Sequence, residues 1–315
     1  MTPKGLLPIA AFAAVAAVLP LLVASGTVMN FAIVSLIVCI AAQGWNILGG
    51  YGGQYSFGHA AFFGTAAYAT AILQLRFDVN PYLGLAVGVA AAGVVGWIIG
   101  LLSFRSGLRG SYFALVTLAF AEVLRVLANA AEFTGGAAGI LIKLDVRPEN
   151  FQFASRATFY WVTLALVVAA LVVTRALERS RLGAQLVAVR ENEAAARALG
   201  VDALGVKLAA IALSAMITGA AGALYAQYFL YIDANIAYGT WISVEALLAP
   251  ILGGAGTVFG PVFGGILLHG LSEFTKTLVG TIPGVDLVIF GALLILVIRF
   301  PPRELPGLLK LWRAR

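Results

Sequence analysis

Long apolar runs separated by short polar connections fill most of the chain, and several exceed the roughly 18 residues that a helical membrane span requires. Runs near 6–25, 28–48, 57–75, 81–103, 111–130, 157–177 and 208–230 predict transmembrane helices, and 285–299 predicts a final one. The stretch 241–270 is also apolar, but Pro250, Gly253-Gly254-Ala255-Gly256 and Gly260-Pro261 interrupt it. It is expected either to re-enter on the side it left or to form two tilted half-spans. The pattern predicts an all-α, polytopic helical membrane protein with about eight to ten membrane segments, some glycine-broken or re-entrant, in a single transmembrane domain over 1–315.

One polar island breaks this pattern. Between Arg175 and Lys207 lie six basic and four acidic residues, and the centre reads Arg190-Glu-Asn-Glu-Ala-Ala-Ala-Arg-Ala-Leu-Gly200. Good helix formers dominate it, Gly183 and Gly200 bracket it, and Glu193 precedes Arg197 by four residues in the favourable ion-pair order. A short helix outside the bilayer is expected. Such a helix is either a handle for a soluble partner or a solvated loop.

Composition agrees with the membrane class, with 61% hydrophobic and 11% charged residues. The net charge of +6 sits in short connections, where it orients spans and does not suggest nucleic acid as a partner. Taking Lys4 as cytoplasmic, four crossings return Arg105 and Arg109 to that side. The mixed-charge loop 131–156 then falls outside, and the island and the basic tail after 299 fall inside. Lys4 and the run behind it faintly imitate a signal peptide, but the run is too long and reads as the first span. The single cysteine, Cys39, lies in an apolar run and reads as a small core residue.

Two short segments match. Ile47-Leu-Gly-Gly-Tyr-Gly52 resembles Ile251-Leu-Gly-Gly-Ala-Gly256, and Phe57-Gly58 and Phe259-Gly260 follow them. If this is a repeat, both copies follow a segment running inward, so the halves are parallel; glycines that merely ease helix packing are the alternative. Paired breaks of this kind point to a translocation path, by analogy with secondary transporters. Gly50, Gly53, Gln54, Ser56, His59, Gly253, Gly254, Gly256 and Thr257 are therefore candidate path residues. Glu122 joins them as an intramembrane acid, although Arg125 three residues on makes it equally a structural pair. Glu245 is the most isolated acid. His59 and His269 have no ligand-spaced neighbour for a metal. Tyr225, Tyr228, Phe229, Tyr231, Tyr238 and Trp241 cluster as an interfacial belt would.

No phosphate-binding G-x-x-x-x-G-K-[S/T] loop, H-E-x-x-H helix or G-x-S-x-G elbow occurs. No enzyme and no bound cofactor are expected. An energised function would borrow its energy from a partner.

Four motifs in order, Gly50-Tyr-Gly-Gly-Gln-Tyr-Ser-Phe-Gly-His-Ala-Ala-Phe-Phe-Gly-Thr-Ala-Ala-Tyr68, Leu108-Arg-Gly-Ser-Tyr-Phe-Ala-Leu-Val-Thr-Leu-Ala-Phe120, the Arg190–Gly200 segment and Gly253-Gly-Ala-Gly-Thr-Val-Phe-Gly-Pro261, resemble the permease family of branched-chain amino acid ABC transporters, M-type subunit. The resemblance runs from about residue 28 to 300. It implies a multi-pass bacterial inner-membrane importer subunit with both termini cytoplasmic, a coupling loop at 178–205 and a basic cytoplasmic tail at 300–315. It also implies a second, H-type permease, two cytoplasmic ATPases that use the ATP, a periplasmic amino-acid-binding protein and surrounding lipid. Arg190, Glu191, Glu193, Ala194, Ala195, Arg197 and Gly200 would form the ATPase-coupling region, similar to the EAA loop. Gly200 lies seven residues after Glu193 where the general pattern has six, and Ile211-Ala-Leu-Ser214 replaces Ile-x-Leu-Pro. Urea, short amides or other amino acids remain alternative substrates. An autonomous proton-coupled transporter using Glu122, Glu245 or His59 is the alternative of another class.

Overall fold

The computed structural model describes residues 6–23 and 25–279, with positions 288, 289, 291, 292 and 295. Lys4, the rest of the run 285–299 and the tail 300–315 lie outside the described residues. Apolar runs become α1 (Leu7–Leu22), α2 (Gly26–Trp45), α3 (His59–Phe77), α4 (Pro81–Arg105), α5 (Gly110–Ala130), α6 (Arg156–Glu178) and α9 (Ala203–Phe229). The polar island forms α7 (Arg181–Glu191) and α8 (Glu193–Ala198), and the interrupted stretch forms α11 (Thr240–Gly253) and α12 (Gly260–Val279) after the short α10 (Ala234–Ala237). Among the described residues, six helices are long and apolar enough to cross a membrane, and the chain is a polytopic helical membrane protein.

Chain direction alternates between two ends. At the island end, Arg190 reaches Gly50 and Arg109 reaches Glu193. At the opposite end, Asn80 bonds the loop at Glu149, Arg76 bonds Glu132, and Arg156 bonds Gly26. There β1 (Ile140–Leu141) pairs antiparallel with β2 (Tyr231–Ile232).

The centre is a trio, with α3 held between α4 and α9. α3 has 19 residues but is not among the six apolar helices, because His59 at its start and Gln74 and Arg76 near its end lower the hydropathy of the run. Its faces meet protein instead of lipid: Ala60, Ala61, Phe62, Ala66, Ala67 and Ala71 have no exposed surface. Close approach permits this. A Cβ on Gly88 of α4 would lie 2.8 Å from the Ala66 carbonyl oxygen. Between helices in lipid such fitting of small residues supplies the association energy that apolar burial supplies in water.

Three local expectations are corrected. The island is two helices, because Asn192 leaves the helical region (φ −157°, ψ 100°) and its side chain caps Ala195 N at 3.0 Å. Gly183 does not bracket a helix: its N–H binds the Ser180 N-cap at 3.0 Å, and any side chain there would overlap the Leu177 carbonyl. Gly200, by contrast, takes φ +85° just past α8. The aromatic group is only partly a belt. Trp241 and Phe229 are exposed, but Tyr238 is buried and stacks on Tyr68 at 5.8 Å. Cys39 is a buried core residue, as its surroundings in the sequence suggest.

Candidate functional site

Both glycine segments turn the chain at the island end, and both follow helices running toward it, so the two copies are parallel. In the first, α2 loosens at its end into a π-helix, Asn46–Tyr51, across the Gly49-Gly50 pair. After a turn at Gly52 and Gly53, residues 54–58 form a non-helical segment in which exposure alternates over Tyr55, Ser56 and Phe57. Tyr55 and Phe57 are exposed; Ser56 and His59 are fully buried. Trp45 Nε1 donates to the Ser56 carbonyl at 2.8 Å, which fixes this register. Ser214 donates to the Gly44 carbonyl at 2.6 Å, so its oxygen is left to accept from His59 Nε2 at 2.9 Å.

The second turn closes on itself. Thr257 Oγ1 donates to the Gly254 carbonyl at 2.8 Å and accepts from Gly260 N at 3.0 Å, capping α12. Gly254 and Gly256 hold φ of +112° and +76°, the region that favours glycine.

The two turns are joined. Asn46 accepts from Gly256 N at 2.8 Å and donates to the Thr257 carbonyl at 2.9 Å, while Gln43 donates to the Val258 carbonyl at 2.6 Å. The approach is tight: a Cβ on Gly50 would lie 2.5 Å from Gly256 N. Arg190 of α7 completes the junction. Its Nη1 donates to the Gly50 carbonyl at 2.9 Å, its other nitrogens hold Glu191, and Gly53, at φ +65°, has no room for a side chain beside it.

Next to the junction, a cavity of about 560 Å³ opens between α5, α11 and the non-helical segment, lined by Tyr55, Phe57, Leu115, Leu118, Leu247 and Ile251. Its wall is almost wholly apolar. It can take a hydrocarbon side chain, but its side chains cannot alone satisfy a charged group.

A family model described as "Branched-chain amino acid transport system / permease component" matches residues 27–298, which include both turns, the cavity wall and the island. The chain belongs to this family. The high-affinity branched-chain amino acid transport system permease protein LivM of Escherichia coli is 30% identical across all of this chain and 77% of its own length. LivM of Salmonella typhimurium is 29% identical over the same shares. LivH of Escherichia coli, a permease protein of the same transport system by its name, is 24% identical across 85% of this chain and 90% of its own length. This chain is thus similar to both kinds of permease.

Within this permease the candidate residues divide. Gly50, Gly53, Gln54, Gly253, Gly254, Gly256 and Thr257 lie at or beside the junction. Ser56 and His59 belong to the α2–α3–α9 core and do not line the cavity: the Trp45 bond holds the Ser56 backbone inward, and His59, the first residue of α3, is held by Ser214 of α9. Glu122 sits on α5 away from the junction, bound by Arg125 Nε at 2.9 Å, and Arg125 in turn holds Asn235 at 2.6 Å.

On the island, Glu193 is a hub. It binds Lys207 at 2.8 Å, Arg197 at 2.6 Å and Arg109 at 3.5 Å, tying α8 to α9 and to the start of α5. Burial alone would raise its pKa, but the Lys207 hydrogen bond and the three cations outweigh burial and hold it below the usual carboxylate value. Lys207 is itself buried over the Phe104 ring at 5.3 Å. Ala194, Ala195, Arg197 and Gly200 are exposed, and Leu199 is the most exposed large apolar side chain described, at 86%. Sequence reasoning missed Asn46, Lys207, Arg109 and Leu199. The glycines at 49, 50, 52, 53 and 58 mark a break in the helical run around Tyr55 and Phe57, the local signal that was available; the long-range partners of Asn46 and Glu193 leave none.

Proposed function

We propose that this permease forms one half of the translocation path of an ATP-driven importer for branched-chain, hydrophobic amino acids in the bacterial inner membrane. The observation that carries the reading is the Arg190–Gly50 bond beside the Asn46–Gly256 bond. Through these, α7 touches both glycine turns, and the second turn ends the helix that walls the apolar cavity. Movement of the island is thereby passed to the cavity without an intervening flexible link.

The island faces the cytoplasm in this reading, and both termini lie there. Two separate ATPase subunits dock on α7 and α8, with Leu199 as an apolar contact, and they alone use ATP. A second, H-type permease completes the path, and a periplasmic binding protein delivers the substrate and sets most of the selectivity. The apolar wall favours aliphatic side chains over urea or short amides. Of the candidate proton carriers, Glu122 is neutralised by Arg125 and His59 is sealed among Trp45, Phe62 and Ser214, so neither supports proton coupling; Glu245 lies away from the junction, on the other side of α11 from the apolar cavity.

The test is uptake by the purified complex in proteoliposomes. Wild-type uptake requires ATP and is indifferent to an imposed proton gradient. Arg190→Met leaves the complex assembled and hydrolysing ATP but lowers uptake by about tenfold, the worth of a charge-assisted hydrogen bond. Uptake driven by a proton gradient without the ATPases would refute the reading.

A further inference from the structure

α11 separates two spaces. Leu247 and Ile251 face the cavity beside α5, whereas Trp241 and Glu245 face the other way, into a cleft of about 510 Å³ among α2, α9, α11 and α12. This cleft lies toward the end opposite the island. Its mouth is polar, with Asn30 and the Glu273–Lys276 pair at 2.7 Å, and its α2 wall is apolar, with Val28, Phe31 and Val34; a narrow apolar gap among Ile37, Ile242 and Ala246 lies behind it and holds little space. Aromatic rings cover one side, Tyr225 lying 6.4 Å from Trp241 and 4.4 Å from Phe229. His269 is engaged in stacking on Phe31 at 5.1 Å.

Glu245 stands at the boundary between the cleft and the apolar gap, lining both. Among the described residues it has no hydrogen bond and no ion pair; Lys276 attracts it only through space and is itself paired with Glu273 at 2.7 Å. A carboxylate set among apolar and aromatic groups is costly unless something supplies the counter-charge. The cleft leaves room for that group.

We propose that this cleft is a second ligand site, separate from the α5 cavity, for an amphiphile that carries a primary ammonium group on an aliphatic body. The ammonium donates to Glu245 under the aromatic rings, the aliphatic part lies along Val28, Phe31 and Val34, and the anionic part of a zwitterion stays at the mouth among Asn30, Ser272 and Thr277. Two sources share this chemistry, an ethanolamine-headed phospholipid and a free branched amino acid. The site depends on neither the Arg190 linkage nor ATP coupling.

Native mass spectrometry on the full-length permease with its natural partners, loaded with phosphatidylethanolamine or with phosphatidylcholine, tests the lipid source. Thermal shift with L-isoleucine tests the amino acid. The expected result is that one of the two primary amines is retained, phosphatidylcholine is not, and Glu245→Gln lowers retention by about tenfold, as loss of a charge-assisted bond does. Val34→Trp fills the cleft without touching its charge, so it must give a similar loss even where Glu245→Gln yields too little protein. Equal retention by wild type and Val34→Trp, or no retention of either amine, overturns the proposal.

Discussion

The two glycine turns carry nearly the same residues yet are built differently. Ile47 matches Ile251, so the position before each motif is Asn46 in one copy and Pro250 in the other, and Phe-Gly follows ten residues after Ile47 but eight after Ile251. The longer first turn unwinds through a π-helix into a non-helical segment whose outward residues wall the cavity. The shorter second turn closes through its own Thr257 and goes straight into α12. Asn46 donates and accepts across the gap; Pro250 has no N–H to offer and lies within α11. Similar sequences have thus divided the labour. One turn presents surface, and the other is held by its counterpart.

The most severe way to break this arrangement is Gly50→Val. A branched side chain there wedges the turns apart at Gly256 N, and we expect a loss of about 3 kcal/mol of stability with uptake abolished. Thermal unfolding in detergent and proteoliposome uptake measure both; a variant of wild-type stability would mean that the turns are not pressed together. Asn46→Leu comes next. It keeps the branched shape but leaves Gly256 N without an acceptor, at a cost of about 2 kcal/mol. Its signature is that the damage appears at the second turn, as faster hydrogen exchange at Gly256, although the substitution is in the first. Unchanged exchange there would contradict the cross-connection. The smallest effect is expected of Thr257→Val, which removes the cap of α12 and the bond to the Gly254 carbonyl at an exposed turn and costs about 1 kcal/mol. If Thr257→Val proves more harmful than Asn46→Leu, the second turn is held from within and the comparison reverses.

Much of this was legible in the chain, but unevenly. Helix positions followed from the apolar runs, and the Glu193–Arg197 pair followed from spacing alone, because both are local properties. The glycine match drew attention to residues that the structure brings together, with Gly50 against Gly256. The break at Asn192 was missed because the flanking alanines and glutamates favour helix on both sides, and a single capping side chain outweighs them. Ser56 and His59 looked exposed to a path by proximity in sequence. Their orientation is set by Trp45 and Ser214, on other helices or earlier turns. The partners of Glu193 on α9 and at the start of α5 are matters of tertiary packing, as is the cleft that surrounds Glu245.

The composition of α3 has a consequence for how the protein is made. A helix that carries His59, Gln74 and Arg76 and whose faces meet protein gains more from its helical neighbours than from lipid. Its burial relies on α4, which follows at once, and on α9, which is synthesised more than a hundred residues later. During synthesis α3 therefore waits with α4 as a hairpin, its unfilled side open, until α9 arrives. The central element of the finished permease thus completes its packing only late in synthesis, and chains truncated before α9 would be the natural clients of membrane quality control.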